Sequence, residues 1–172
     1  MPTRNRLLEA ALQVFTEDGF GQASITAIAE RAGISGPAVY KHFSGKAELL
    51  IEAARHSLDT MHESGQDRSP RESARRWLAP DFAATRTLIL ELHVSAGRAP
   101  DVAELLSQWH AERSSAWNAD YGYTPEQIKA FYLLLLGLAH IDSLSSLTAD
   151  PAVVRTHVDR MVDALFDDQK RN

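Results

Sequence analysis

The amino-acid sequence predicts an all-α protein, on three observations. Apolar residues recur three and four positions apart along nearly all of the 172 residues, and no segment alternates apolar and polar residues as a half-buried strand does. Two later segments begin with a capping residue followed by proline, at Thr124-Pro125 and Asp150-Pro151, and the first turn of a helix accepts both residue types. Residues 24–46 contain two short apolar stripes separated by a glycine turn, which favours two short helices in tandem.

The first helix is predicted from an apolar stripe that ends at Gly19. A glycine readily adopts the left-handed conformation that commonly ends a helix, and Phe20 is then placed to fold back as the apolar contact of such an end. The stripe itself consists of Leu7, Leu8, Ala11, Leu12 and Phe15.

The next two helices have the spacing that a helix-turn-helix needs. Ser24 is a candidate N-cap, Ala29 is small where the two helices approach closely, and Gly33 lies where the chain reverses. Ser35 is expected to cap the second helix, and Val39 is expected to point into the core. Because the second helix of this motif lies in the DNA major groove, the pattern predicts a DNA-binding protein.

A fourth helix is predicted from about Lys46 to Met61, and it would connect the first three helices to the rest of the chain. The polar segment 64–70 is the clearest internal boundary after it. Beyond that boundary the same periodicity predicts five more helices: one that ends before Pro80, one at about 81–96, one that begins at Asp101, one from Thr124 to Leu147, and one that begins at Asp150.

Composition narrows the possible partners. The chain has no cysteine, which excludes disulfides and thiolate metal sites and fits a cytoplasmic protein. No signal peptide is visible at the start and no apolar run is long enough to span a bilayer, so no membrane partner is expected.

Residues 1–55 hold six basic and six acidic side chains, so the net charge of −5 lies outside the predicted DNA-binding region. Non-specific DNA affinity is therefore expected to be weak and salt-sensitive.

Residues 7–54 resemble the DNA-binding domain of TetR-family transcriptional regulators. The remaining residues carry no comparable pattern, which is also similar to the family, whose ligand-binding parts diverge widely. The residues that carry the resemblance are Leu8, Ala11 and Phe15; Gly19 and Phe20; Thr26, Ile28, Ala29, Ala32, Gly33, Ile34 and Ser35; Val39, Tyr40, His42 and Phe43; and Lys46, Leu49 and Leu50.

The resemblance implies a domain organisation and a function. It implies a three-helix helix-turn-helix DNA-binding domain at residues 1–46 and a helical effector-binding and dimerisation domain at residues 47–172. The expected function is a ligand-responsive regulator, in the first instance a repressor, that binds a near-palindromic double-stranded operator as a homodimer. A small hydrophobic effector is expected to release it from the operator.

The resemblance also assigns the DNA contacts by position. Thr26 is expected to touch a phosphate or a base, residues 35–38 to lie deepest in the groove, and Lys46 to bind a phosphate. Gly36 departs from relatives that carry a longer polar side chain there, so Lys41, Thr26 and DNA shape are expected to supply part of the specificity. The complete set of expected contact residues is Thr26, Ser35, Gly36, Pro37, Ala38, Tyr40, Lys41, His42 and Lys46.

The four leucines at 133–136 are apolar on every side of their helix, which must therefore be buried all round. One side can face the core and the other a second subunit, and the TetR resemblance favours this arrangement over a helix buried in the centre of a monomer. We expect the last two helices to pair with their symmetry mates as a four-helix bundle. The expected interface residues are Leu134, Leu138, Ile141, Val154, Val158, Met161 and Leu165.

The middle helices are rich in aromatic residues, and small-molecule pockets are mostly apolar with a few placed polar groups. The alternative is that these aromatic residues belong to an ordinary core. An apolar lining favours a hydrophobic or aromatic effector, such as a lipid-like acyl compound. The candidate lining residues are Trp77, Phe82, Leu88, Leu92, His93, Trp109, Trp117 and Phe131.

Two other functions compete with DNA binding. An enzyme is disfavoured because the seven histidines are scattered and no zinc-protease or phosphate-loop motif occurs, so neither a cofactor nor a metal site is expected. The alternative is a helical small-molecule-binding or interaction module that does not bind DNA, and it would explain the net negative charge of the chain. That module would not explain the positions of five residues that a DNA-binding motif needs: Gly33, Ser35, Pro37, Tyr40 and Lys46.

Overall fold

The computed structural model describes residues 3–62, 69–144 and 149–166, and every regular element in these ranges is helical, as predicted. The segment 64–68 of the predicted polar boundary and Leu147 lie outside the described residues. Within them, two 3-10 turns at Pro80–Phe82 and Ile141–Leu144 accompany nine α-helices: α1 (Thr3–Gln22), α2 (Ile25–Arg31), α3 (Gly36–Val39), α4 (Lys46–His62), α5 (Pro70–Trp77), α6 (Ala83–Ala96), α7 (Pro100–Tyr121), α8 (Pro125–Leu138) and α9 (Pro151–Phe166).

The end of α1 is more complex than the sequence predicts. Gly19 has φ +73° and ψ 162°, so the regular helix is interrupted there, but helical hydrogen bonding resumes as far as Gln22. The Phe20 ring lies 6.0 Å from the Phe15 ring, which is the predicted fold-back contact. The backbone N–H of Phe20 donates to the Glu91 carboxylate of α6 at 2.6 Å, so a side chain distant in sequence stabilises the break.

One apolar core runs through the N-terminal helices into the rest of the chain. It combines the buried stripe of α1 with α4, α6 and α7, and α1 packs against both α4 and α6. Val39 and Phe43, which follow the helix-turn-helix turn, are buried in this core, as predicted for Val39. This continuous core contains residues on both sides of residue 46, so it does not separate the two predicted domains. The boundary between them remains a prediction.

A second, smaller apolar cluster joins α5, α8 and α9. Its buried members are Ala74, Phe131, Val158 and Val162. On the outside, the Arg75 guanidinium binds the Asp159 carboxylate at 2.8 Å, which lowers the pKa of that carboxyl through a hydrogen bond and charge attraction. This cluster fixes the position of α9 against α5.

The starts of the last two helices follow the predicted signals. The Thr124 hydroxyl accepts the Gln127 N–H while the Gln127 side chain accepts the Thr124 N–H, which completes a capping box. Asp150 accepts the Ala152 N–H at 2.8 Å before α9. The predicted end at Leu147 is wrong, because α8 ends at Leu138 and the chain turns into a separate 3-10 segment.

None of the described helices combines the length and the apolar character needed to cross a bilayer.

Candidate nucleic-acid interface and internal cavity

The turn between α2 and α3 is held by backbone and capping hydrogen bonds. The Ser24 hydroxyl accepts the Ala27 N–H at 3.0 Å, which confirms the predicted N-cap of α2. Gly33 has φ +68°, a conformation that a side chain would strain, and the Ile34 N–H then donates to the Ala29 carbonyl at 3.0 Å. These local contacts determine the angle at which α3 leaves α2.

The second helix of the motif is short. Ser35 occupies the N-cap position of α3, but its hydroxyl makes no capping hydrogen bond, contrary to the prediction. The α-helix ends at Val39, and the N–H groups of His42 and Phe43 both donate to the Val39 carbonyl, so the chain continues as a tight turn. The Ser35 hydroxyl is therefore exposed and free of a helix-capping role.

Eight of the nine predicted DNA-contact residues lie on α2, on α3 and in the turns before and after α3; we call them the α2–α3 surface. The Tyr40 side chain is 61% exposed although it is large and apolar over most of its area. Gly36 and Ala38 are partly exposed, and the other members are exposed: Thr26, Ser35, Pro37, Tyr40, Lys41 and His42.

Lys46, the ninth predicted contact, is already engaged within the protein. Its Nζ donates to the carbonyl oxygens of Phe20 at 2.6 Å and Ala23 at 3.0 Å, and it lies 4.4 Å from the centre of the Phe20 ring. The ammonium group therefore ties the start of α4 to the end of α1. A phosphate contact by Lys46 remains a prediction, and its role in holding α1 was not foreseen from the sequence.

Free positive charge on the N-terminal helices is limited. Arg31 binds Glu17 at 2.6 Å, and Arg4 forms an ion pair with Glu52. Across the described ranges, Arg6 and Lys41 are exposed basic residues of this region without an ion pair. Of these two, Lys41 belongs to the α2–α3 surface.

An internal cavity of about 60 Å³ lies among α4, α5, α6, α7 and α8. Four of the predicted lining residues, Trp77, His93, Trp109 and Trp117, do line it. The other four, Phe82, Leu88, Leu92 and Phe131, are at most 2% exposed and belong to the solid core instead. The remaining lining residues are Leu58, Ser73, Ile89, His110, Arg113, Tyr132, Leu135 and Leu136.

The polar part of this lining was missed in the sequence. His110, Arg113 and Trp117 recur at intervals of three and four on α7, so they share one face of that helix. Trp117 was already a predicted lining residue, and the helical spacing from it identifies His110 and Arg113 as residues of the same face. Tyr132 follows Phe131 directly, and the helix turns the tyrosine toward the cavity and the phenylalanine into the core.

Two histidines meet in the cavity wall. The His93 Nδ1 donates to the Ile89 carbonyl at 2.8 Å, since a carbonyl oxygen only accepts, and this leaves Nε2 as an acceptor. The His110 ring lies 5.4 Å from the His93 ring and 5.3 Å from the Tyr132 ring. Burial lowers the pKa of both histidines, and for His110 the charges of His93 and Arg113 lower the pKa further. Both rings are therefore neutral at pH 7.

The predicted dimer residues occupy different environments. Val158 is 2% exposed because α5 and α8 cover it within the same chain, so its side chain is not presented to a second copy. Met161 is 46% exposed. The others are partly buried: Leu134, Leu138, Ile141, Val154 and Leu165. Three exposed apolar side chains on or beside α8 and α9 were not in the predicted set: Leu133, Leu144 and Val153.

Comparison with known proteins finds a family match in the N-terminal helices. Residues 7–53 match the family described as bacterial regulatory proteins of the tetR family. A solved transcriptional regulator from Rhodococcus sp. Rha1 is similar over 96% of this chain and 97% of its own, with 25% identity and a TM-score of 0.65. Residues 7–53 thus form a helix-turn-helix region of the tetR family, and nearly the whole chain shares the fold of a solved transcriptional regulator.

Curated relatives match this chain over shorter segments. The regulator UidR of Escherichia coli K12 is 33% identical over 127 residues, which are 63% of this chain and 59% of UidR. The activator FasR of Mycolicibacterium smegmatis is 41% identical over 58 residues, which are 34% of this chain and 26% of FasR. The chain thus matches between about a quarter and about three fifths of the length of these relatives.

Proposed function

We propose that this protein is a ligand-responsive repressor of the TetR family that binds a near-palindromic operator as a homodimer and leaves it when a small hydrophobic effector occupies the internal cavity. The observation that carries the proposal is that the exposed helix-turn-helix packs on α1, and α1 packs on α4 and α6, which also line the aromatic cavity. Its place of action is then the cytoplasm, where a bacterial operator is found.

DNA binding would use the α2–α3 surface. Exposed hydroxyl groups, such as those of Thr26, Ser35 and Tyr40, can donate to phosphate oxygens, and Lys41 adds a free cation. Gly36 has no side chain to read a base, so direct readout is limited and the sequence-dependent shape of the operator supplies part of the specificity.

A second copy of the chain would pack on the exposed apolar side chains of α8 and α9. Leu133 is 64% exposed, Val153 51% and Met161 46%, and apolar side chains of this size at neighbouring helices are typical of a protein interface. A two-fold axis through this interface would place two helix-turn-helix motifs on the two halves of a near-palindromic site.

The coupling between cavity and motif would run through Glu91. This residue lies on α6 between the cavity-lining residues Ile89 and His93. Its carboxylate accepts the Phe20 N–H at 2.6 Å, and the Phe20 carbonyl accepts the Lys46 ammonium at 2.6 Å. A ligand that displaces α6 would therefore move the end of α1 and the start of α4. An effector that favours one spacing of the two motifs then shifts the population toward that spacing.

A mobility-shift titration tests DNA binding directly. The full chain is titrated against the DNA upstream of its own gene at several salt concentrations, with Lys41→Ala as the variant. We expect weaker binding and a salt slope that falls by about one unit, because one phosphate contact is lost. Lys129→Ala is the matched control, since Lys129 is an exposed lysine of α8.

Two outcomes would contradict the proposal. The first is that the full chain binds no duplex at low ionic strength, which would favour the alternative of a helical module that binds only small molecules. The second is that the Lys41 and Lys129 variants have the same salt slope, which would remove Lys41 from the interface.

A further inference from the structure

The walls of the internal cavity are unusually aromatic. Six of its lining residues carry rings: Trp77, His93, Trp109, His110, Trp117 and Tyr132. The Tyr132 ring stacks near the His110 ring at 5.3 Å and lies 6.3 Å from the Trp117 ring. Flat faces of this kind bind another flat ring better than they bind a flexible chain, because a rigid ring loses little conformational entropy.

Two buried hydrogen-bonding atoms on the cavity-lining residues have no partner in the described part of the chain. They are the Tyr132 hydroxyl oxygen and the Trp77 Nε1. Leaving a buried donor unsatisfied is costly, and the great majority of buried polar atoms in proteins are paired. The indole N–H can only donate and the tyrosine hydroxyl can donate as well. Two residues of the cavity wall thus carry a buried donor without a partner, and an acceptor on a bound molecule would satisfy such a donor.

The charge in the cavity wall is positive and comes from Arg113. Arg113 lies over the Trp109 ring at 5.7 Å and forms no ion pair among the described residues. The neighbouring Arg55 is paired, since it binds Glu112 at 2.9 Å. Among the described residues, no aspartate or glutamate lines the cavity, and both lining histidines are neutral at pH 7. The wall thus favours an anion and disfavours a cation.

We propose that the cavity selects small aromatic monocarboxylates, whose ring lies among the tryptophans and whose carboxylate is bound by Arg113 and the Tyr132 hydroxyl. This inference rests on the proposed function in taking the cavity as the effector site, and it gives that effector a chemical class. The volume of about 60 Å³ is small, which disfavours a long acyl chain.

A series of isosteric ligands tests the class. Isothermal titration of the full chain with 4-methylbenzoate, 4-methylbenzamide and 4-methylbenzamidinium compares an anion, a neutral molecule and a cation of the same shape. We expect the carboxylate to bind at least about tenfold more tightly than the amide, because a hydrogen bond to a charged group is worth more than a neutral one. The amidinium should bind more weakly than both, and octanoate more weakly than the aromatic carboxylate.

Variants identify the groups that hold the ligand. Arg113→Gln should reduce the preference for carboxylate over amide to within about twofold, while Arg98→Gln, an exposed arginine outside the cavity, should leave it unchanged. Tyr132→Phe keeps the ring and should weaken both ligands about threefold or more. The chain's three tryptophans all line the cavity, so quenching of intrinsic fluorescence provides a second measure of binding.

The results separate this inference from the proposed function. Equal affinities for the carboxylate and the amide, or a preference that survives Arg113→Gln, would overturn the inference. If the Arg113 variant fails to fold, the ligand series on the unmodified chain still decides the question. Carboxylate selectivity in a chain that binds no duplex would support the ligand class and count against the repressor. Operator binding without carboxylate selectivity would support the repressor and count against the ligand class.

Discussion

Single cationic side chains join neighbouring elements of this protein. Arg86 is 1% exposed, and its guanidinium donates to the carbonyl oxygens of Trp77 at 2.6 Å and Ala79 at 2.9 Å. Lys46 binds two carbonyl oxygens near the end of α1 in a similar way. Both cations donate to carbonyl oxygens at or just beyond the end of a helix, and hydrogen bonds from charged donors are the stronger kind.

Lys46→Met tests whether this lysine has a structural role. The substitution keeps most of the side-chain length and removes the donor to the two carbonyl groups. Because Lys46 is only partly buried, we expect the free energy of unfolding to fall by about 1–2 kcal/mol. Urea denaturation of the full chain measures it, with Lys129→Met as the control. An unchanged free energy of unfolding together with weakened operator binding would show that Lys46 serves the phosphate instead.

At the scale of helices, α6 is the element that connects the cavity to the end of α1. Its residues Ile89 and His93 line the cavity, while Glu91 faces the end of α1. The Glu91 carboxylate also accepts the Ser95 hydroxyl at 3.1 Å, which orients it on its own helix. A β-carbon at position 19 would lie 3.5 Å from this carboxylate, and the φ of +73° there already favours glycine. The contact is thus close and geometrically specific.

Substitutions at Glu91 test this connection. Glu91→Ala removes the acceptor of the Phe20 N–H, and we expect that amide to lose protection from hydrogen exchange, with a loss of about 1 kcal/mol in unfolding free energy. Glu91→Gln retains an oxygen acceptor and should keep most of the protection. Hydrogen exchange followed by nuclear magnetic resonance measures both variants. Equal protection of the Phe20 amide in the alanine variant would show that another group satisfies it.

At the scale of the whole molecule, the two apolar clusters have different surroundings. The larger cluster includes α1, α4, α6 and α7, whereas the smaller one leaves apolar side chains of α8 and α9 exposed beside it. The leucine run at 133–136 explains the difference, since a helix that is apolar all round cannot bury every side within one chain of this size. The exposed part is the surface proposed for the second subunit.

A charge placed on this surface should prevent dimerisation. We expect Met161→Glu to be monomeric and folded, because an isolated carboxylate cannot enter an apolar interface without losing its hydration. Operator affinity should then fall about a hundredfold or more, since the two motifs no longer act together. Val94→Glu is the control, because Val94 is 50% exposed on α6. Light scattering after gel filtration measures the mass. A Met161 variant with unaltered mass and affinity would exclude this surface.

The helix-turn-helix was predictable because its determinants are local. Ser24 caps the helix that follows it, Gly33 adopts the positive φ that the turn requires, and Val39 is buried as its spacing indicates. The same is true of the capping box at Thr124. Each of these features depends on residues within a few positions of one another, so the backbone geometry follows from residue types alone.

The cavity and its connection to the motif depend on tertiary structure. Arg113 and Tyr132 are distant in sequence and meet only because α7 packs on α8, and Phe131 and Tyr132 differ in environment only because the helix faces two neighbours. The bond between Glu91 and the Phe20 N–H spans 71 positions. By itself the sequence determined the helices and the motif, since these follow from short-range periodicity and capping. Which charged and polar groups face a shared space was decided by packing, because that depends on the relative orientation of whole helices.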